Sequence, residues 1–355
     1  MKVLILATQP DLPETQMILG IHAAGVPVTV VGEPGMARAD WFERAGIPVS
    51  YHSFRRRIDG ASIRFLRDLL TSGEYTIAHT LMNRPLSNLL WASRDLPVRI
   101  VAYRGIVGNL PKWNPAAWMT YLNPRVDCIA CVCDAIRDYL LGQDVPSTRV
   151  RRIYKGHDVN WYESATREEV CQRFEISQDA LIVSAAATMR PRKGTALLLA
   201  AAADVMVADR PVHYLLMGTV RDRAASHLSL EKSLRARVHF TGHLPDAPRW
   251  AGASDVFVLP SLRREGLPKG VIEAMAQGVP AVVSDAGGSP ELVRHQQDGW
   301  VCKAGDRADL ASALNRILKD DALRAMCGAS ARQRIQEDFT IQQTIEAYLD
   351  LYRSF

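Results

Sequence analysis

The chain has 355 residues, 48% of them hydrophobic, and its 43 basic and 38 acidic residues give a formal net charge of +5. Length and apolar content support a large core and two domains of ordinary size. The charge is too mild for the dense basic stripe of a nucleic-acid binder, so nucleic acid is not an expected partner. No apolar run approaches the roughly 20 residues that span a bilayer. The start, Met1 to Ala7, reads as a sheet strand rather than a signal peptide, so a cytoplasmic protein is expected.

In chain order, Lys2–Ala7 predicts a strand, Glu14–Ala24 a helix and Val26–Val31 a second strand, a βαβ opening. A helix over Ile63–Leu70, a strand over Thr76–His79, a helix over Leu86–Ala92 and a strand over Val98–Tyr103 continue the alternation of a doubly wound parallel sheet. Pro111, Pro115 and Pro124 interrupt an aromatic segment with Trp113, Trp118 and Tyr121, which reads as a surface loop with a short helix. A strand over Cys128–Cys133, a helix over Ala135–Leu141 and a strand over Val150–Tyr154 follow. A zinc reading of Cys128, Cys131 and Cys133 needs a fourth ligand and loop geometry, whereas this run is strand-like. Reduced, buried thiols are the better reading, and no metal is expected.

The charged stretch Glu163–Asp179 reads as the connection between domains, which sets bounds of 1–175 and 176–337, with 338–355 a closing helical segment. A second alternating series follows, with strands over Leu181–Ala186, His213–Met217, Val238–Phe240, Asp255–Leu259 and Ala281–Ser284. Helices are predicted over Ala196–Val207, Leu310–Leu318, Ala322–Glu337 and Ile341–Tyr352. The expected fold class is α/β: two Rossmann-like, doubly wound domains facing each other across a cleft.

Three strand ends of the second series carry candidate chemistry. Arg190-Pro191-Arg192-Lys193-Gly194 follows the first strand, and cations there suit a diphosphate. The run equally suits a solvated basic turn. After Asp255–Leu259 come Glu265 on a loop and Glu273 on a helix over Val271–Gln277, with the amides of Gly266 to Gly270 at that helix's N-terminus. Asp285-Ala286-Gly287-Gly288-Ser289-Pro290-Glu291 is a glycine turn after a third strand, able to approach a ligand or simply to connect strand and helix.

Together, Arg190/Lys193-Gly194, Glu265-x7-Glu273-Ala274-Met275-Ala276, Gly278-x-Pro280 and Gly287-Gly288-x-Pro290-Glu291 resemble the retaining nucleotide-sugar glycosyltransferases of family 4, which have the GT-B fold. The resemblance is strong over Leu181 to Leu318 and diffuse over the first domain. It implies that Glu265 contacts the donor sugar's hydroxyls, that Glu273 holds the nucleotide ribose, and that Arg190 and Lys193 neutralise the diphosphate. Lys193, Arg190 and Glu265 are then the candidate catalytic residues. Gly266, Leu267, Pro268, Lys269, Glu273, Thr188 and Gly218 are the candidate donor-binding set. The last helix is similar to the family's tail that crosses back to the first domain. Thr188 stands where the family's usual arginine falls, and Thr8-Gln9-Pro10-Asp11-Leu12-Pro13 replaces its glycine-rich first loop. The family's His-x-His is His79-Thr80-Leu81 here.

His79, Asn83, Arg84 and Arg104 are the candidate acceptor-side residues, although a lone histidine is more often structural. Arg55-Arg56-Arg57, Arg64, Arg67, Arg99, Arg104, Lys112 and Arg125 form candidate basic surfaces, with Trp113 and Trp118 able to stack on sugars or rest at a bilayer interface. No Asp-x-Asp occurs, which argues against a metal-bridged diphosphate. The expected function is retaining, metal-independent transfer of a hexose from a nucleotide-sugar, with UDP-sugar first, to a glycan or glycolipid acceptor in lipopolysaccharide or surface polysaccharide synthesis. The nucleotide-sugar is a substrate and no cofactor is expected; peripheral contact with the inner membrane face is a further expectation. A nucleotide-sugar epimerase of similar fold and a non-catalytic glycan- or nucleotide-binding protein are the alternatives.

Overall fold

The first strand, Val3-Leu4-Ile5-Leu6, has no polar position, so it needs cover on both faces, as strands of parallel sheets have. The computed structural model describes residues 1–208, 210–227 and 231–355. The chain divides into one unit of residues 1–156 with 341–355 and a second of residues 157–340.

The first unit begins β1 (Val3–Leu6), α1 (Leu12–Ala23), β2 (Val28–Gly32), α2 (Ala39–Arg44), β3 (Val49–Tyr51) and α3 (Gly60–Gly73). It continues with β4 (Ile77–Thr80), α4 (Asn83–Ala92), β5 (Arg99–Arg104), α5 (Pro115–Trp118), β6 (Cys128–Cys131), α6 (Asp134–Leu141) and β7 (Val150–Arg152). Its sheet has the order β3-β2-β1-β4-β5-β6-β7. Every pairing in it is parallel, with Val3 opposite both Val28 and Ile77.

The second unit begins α7 (Arg167–Phe174), β8 (Leu181–Ala186), α8 (Thr195–Ala202), β9 (Val212–Met217), α9 (Arg223–His227), α10 (Lys232–Arg235) and β10 (Val238–Gly242). Then come α11 (Ala247–Ala251), β11 (Val256–Leu259), α12 (Lys269–Ala276), β12 (Ala281–Ser284), α13 (Ser289–Leu292), β13 (Gly299–Cys302), α14 (Arg307–Leu318) and α15 (Asp321–Asp338). Its parallel sheet has the order β10-β9-β8-β11-β12-β13. Leu198, Leu199, Leu310, Leu314 and Ile317 cover one face over Val183, Tyr214, Leu216, Val256 and Val282.

The boundary falls ahead of the expected 163–179 connection because that segment is bonded into the second unit. The Ala165 amide donates to the Arg249 carbonyl at 2.9 Å. Arg249 pairs with Glu169 at 2.6 Å and Arg167 with Asp255 at 3.1 Å. Charges that read as a solvated linker are ion-pair partners. The short α2, β3 and β13 also escape the sequence pattern: β3 has three residues, and β13 needs Gly299, whose backbone passes so close to β12 that a Cβ would sit 1.9 Å from the Ala281 carbonyl oxygen.

The last helix, α16 (Ile341–Arg353), groups with the first unit. Its Ile345, Tyr348, Leu349 and Tyr352 share one core with Met17, Ile18 and Ile21 of α1. Close approach is possible because Gly20 faces Ile345; a Cβ there would lie 2.2 Å from the Ile345 Cδ1. Gly20→Val is expected to lower stability by about 1–3 kcal/mol through overpacking, outweighing the few tenths gained in helix propensity. Urea unfolding checks this, and adding Ile345→Ala should recover part of the loss.

Candidate functional site

Strand order in the second unit decides what meets. The chain runs β8, β9, β10 toward one edge, then returns to β11 beside β8 and continues to β12 and β13. The reversal lies between β8 and β11, the place where open α/β sheets bind ligands at their carboxyl ends. The loops after β8, β11 and β12 therefore adjoin, although Lys193, Glu265 and Gly287 are far apart in sequence. The Leu262 amide donates to the Arg192 carbonyl at 2.7 Å, tying the first two loops together.

At that junction the Lys193 ammonium donates to both oxygens of Glu265, at 2.9 and 2.8 Å. Ser261 Oγ donates to Glu265 Oε2 at 2.6 Å, and the Arg192 guanidinium stands 3.9 Å from the same oxygen. Glu265 is only 6% exposed. Burial lowers the pKa of Lys193 from the ordinary lysine value; Glu265 opposes that shift, and Arg192 and Arg190 add to it. Backbone contacts set the geometry. Gly194 has φ +73°, and a Cβ there would lie 2.0 Å from the Pro260 carbonyl oxygen; Gly287, at φ +61°, would meet the Glu265 carbonyl oxygen at the same distance. The glycine turn after β12 thus supports the Glu265 loop. Arg264, just before Glu265, takes a left-handed φ of 60°, a conformation costly for a side chain with a Cβ.

Glu273 lies on α12, 8% exposed, with Lys269 Nζ 3.4 Å from its Oε1. No side chain caps the N-terminus of α12, which follows Gly266, Leu267 and Pro268. Gly270 lets α12 approach β8, with a Cβ position 2.9 Å from the Ala186 carbonyl oxygen. Gly218 ends β9; its amide donates to the Gly242 carbonyl at 2.7 Å, and a Cβ would strike the Ala187 carbonyl oxygen at 2.0 Å. It packs the loop that carries Thr188. Thr188 and Arg190 are both exposed in that loop, and of its arginines it is Arg192 that stands beside Glu265.

In the first unit the Thr8–Pro13 loop runs into the start of α1, where side chains take the Asp11 and Glu14 amides. Asp11 and Glu14 form a capping box on α1, and Lys155 Nζ bonds Asp11 Oδ2 at 2.7 Å and Glu14 Oε1 at 2.8 Å. Asn83 and Arg84 are exposed at the start of α4, where the Tyr121 hydroxyl bonds Asn83 Oδ1 at 2.5 Å. Arg104, at the carboxyl end of β5, is 3% exposed; it donates to the Gly108 carbonyl and lies over the Tyr121 ring. His79 is fully buried, its Nδ1 2.7 Å from the Tyr352 hydroxyl and its ring beside Tyr348. Burial lowers its pKa to about 3. A group so enclosed is a core histidine in this structure, without reach to an acceptor. The expected basic surface also shrinks: Arg99 and Arg125 pair with Asp127, Lys112 pairs with Asp144, and Arg55, Arg56 and Arg57 stay exposed.

All six cysteines are buried and reduced, and burial pushes the Cys128 and Cys131 thiols up to about 12. Among the described residues no group of three or more His, Cys, Asp or Glu is placed to hold a metal ion, and no helix is long and apolar enough to cross a membrane.

Residues 166–334 match the family described as glycosyl transferases group 1, and residues 15–161 match glycosyltransferase family 4. The chain belongs to glycosyltransferase family 4. Among its relatives, N-acetyl-alpha-D-glucosaminyl L-malate synthase of Bacillus anthracis is 27% identical over 58% of this chain, and the match spans about half, 54%, of that protein. The lipopolysaccharide core biosynthesis mannosyltransferase LpsB of Rhizobium meliloti is 29% identical over 67% of this chain and 68% of its own. HepE of Anabaena, solved in complex with UDP, superposes with a TM-score of 0.80 over 100% of both chains at 20% identity, which shows the GT-B fold.

In this family 4 chain two contributors were not singled out by sequence, Ser261 and Arg192. Ser261 follows the proline that ends β11 and lies four positions before Glu265, so a short polar residue at the strand end was the available signal. His79 gives a clean pH test. Its folded pKa lies below the ordinary 6.5, so the stability of keeping it neutral is complete above pH 6.5 and is lost as pH falls toward 3, where the unfolded chain alone takes up the proton. Between pH 6 and pH 5 the native protein is expected to lose about 1 kcal/mol more than His79→Gln. Urea unfolding at the two pH values checks it; equal losses would contradict the burial.

Proposed function

We propose that this chain is a retaining, metal-independent glycosyltransferase that moves a hexose from a nucleotide-sugar, UDP-sugar first, to a glycan or glycolipid acceptor in lipopolysaccharide or surface polysaccharide synthesis. The observation that carries the reading is the Lys193–Glu265 pair at the β8/β11 switch point, beside the uncapped N-terminus of α12. Transfer breaks the bond between the sugar's anomeric carbon and the diphosphate oxygen and forms one to the acceptor oxygen. Negative charge develops on the diphosphate, where Lys193, Arg190, Arg192 and the α12 amides oppose it. Cations in these positions, with no Asp-x-Asp in the chain, support a reaction without a bridging metal. The acceptor's proton passes to a diphosphate oxygen on the same face, so the anomeric configuration is kept.

Glu265 accepts hydrogen bonds from the sugar's hydroxyls, while Glu273 holds the ribose diol. Ser261 and Lys193 fix the rotamer of Glu265, so the carboxylate is oriented before the sugar arrives. Asn83 and Arg84, exposed after β4, are the acceptor-side residues, and buried Arg104 at the end of β5 positions Asn83 through Tyr121. Arg55, Arg56 and Arg57 are the exposed cations for an anionic membrane face. The UDP complex of HepE and the lipopolysaccharide role in the name of LpsB support this choice of donor and acceptor.

Slow UDP-sugar hydrolysis and sugar transfer are the assays. Lys193→Ala is expected to lower kcat by about 100-fold or more, Glu265→Gln to lower kcat with a smaller change in KM, and Glu273→Gln chiefly to raise KM for the donor. Activity should persist in EDTA. Activity abolished by EDTA and restored by a divalent cation would refute the metal-independent reading; wild-type activity in Lys193→Ala would refute the assigned leaving-group role.

A further inference from the structure

A groove of about 360 Å³ on the first unit is lined by Trp91, Arg94, Trp118, Met119, Asn123 and Arg125. It lies at the amino-terminal edge of the first sheet. The helix α4 starts after β4 at Asn83 and ends at Ala92, so Trp91 and Arg94 are at its far end, while Trp118 to Arg125 lead into β6. Trp91 lies eight residues along α4 from Asn83, about 12 Å. The groove's lining includes none of Asn83, Arg84 and Arg104, and Tyr121 of the 118–125 segment links its wall to Asn83.

The wall of this groove is held rigid. Arg125 Nη2 donates to the carbonyls of Leu96 at 3.1 Å and Val98 at 2.5 Å, and Nη1 reaches Asp127 at 3.0 Å. Asn123 Nδ2 donates to the Trp118 carbonyl at 3.0 Å, and Trp118 Nε1 donates to the Lys112 carbonyl at 2.7 Å. Fixed in this way, Trp118 is still 49% exposed, and Trp91 is 51% exposed. Arg94 is exposed on the rim, and among the described residues it makes no ion pair, whereas neighbouring Asp95 lies 3.9 Å from Arg67. The volume falls within the roughly 300–1,000 Å³ of small-molecule sites. Indole faces bury the apolar faces of sugar rings, and a guanidinium takes a carboxylate or phosphate with two hydrogen bonds.

We propose that this groove is a second, non-catalytic saccharide site that takes an anionic sugar unit of a glycan, held between Trp91 and Trp118 with Arg94 on its acidic group. A recess with a fixed indole in its wall suits a ligand that enters it better than a flat lipid surface. The site goes beyond the transfer reading and does not rest on it.

Isothermal titration of the full chain with tetragalacturonate, a carboxylate-bearing probe, tests it against neutral maltotetraose. Saturable binding is expected, weakened about tenfold or more in Trp91→Ala and in Arg94→Gln, unchanged in Trp113→Ala outside the groove, and weaker for maltotetraose. Melting curves check that each variant folds. The proposal is overturned by absent binding, by affinity unchanged in Trp91→Ala and Arg94→Gln, or by an equal loss in Trp113→Ala. Phosphatidylglycerol vesicles bound through Trp91 and Arg94 while tetragalacturonate is ignored would also overturn it and assign the groove to lipid. A UDP thermal shift in the same samples reads the donor site separately, so a failure there leaves the saccharide result standing.

Discussion

A lysine and a glutamate buried together at the carboxyl ends of β8 and β11 are the constraint on which the second unit's arrangement depends. Taking either charge from water costs several kcal/mol, and a buried pair is weak evidence of stability. The pair persists because each partner makes the other tolerable: burial works against the Lys193 charge, Glu265 offsets part of that, and Ser261 satisfies a carboxylate oxygen. Losing one partner is the costly event, about 3–5 kcal/mol for a buried pair. A hydrophobic filling would serve the core as well. A cation and an oriented carboxylate at these strand ends instead fit the leaving-group and hydroxyl roles proposed for them.

Backbone proximity makes the pair possible. Gly194 against Pro260, Gly287 against Glu265 and Gly270 against Ala186 are close approaches in which a side chain would strike carbonyl oxygen or crowd it. The first two bring the loop of one strand onto that of its neighbour, and the third seats α12 against the end of β8. The first unit solves its equivalent edge differently. There Asp11, Glu14 and Lys155 close the start of α1 with the chain's own charges.

Much of this was legible in sequence because buried parallel strands are short apolar runs bounded by turn residues, and Leu181–Ala186 and Ala281–Ser284 fall where the pattern puts them. Glu265 on a loop and Glu273 on a helix were legible from the proline before and the glycine after. What the pattern lacks is depth. His79 carries the same letter whether it faces solvent or lies against Tyr348 and Tyr352, and only the return of α16 decides that. The charged 163–179 stretch likewise read as a linker because its ion-pair partners, Arg249 and Asp255, lie far along the chain. Arg192 was hidden by its own motif, since which arginine of a run turns toward Glu265 depends on the loop's path and not on composition.

A crystal structure of the chain with UDP tests the central claim most directly. The β-phosphate is expected within hydrogen-bond distance of Lys193 Nζ, about 2.7–3.2 Å, with the ribose hydroxyls on the Glu273 carboxylate. A nucleotide bound elsewhere, or seated at β8 and β11 with its phosphates turned away from Lys193 and its ribose off Glu273, would contradict it.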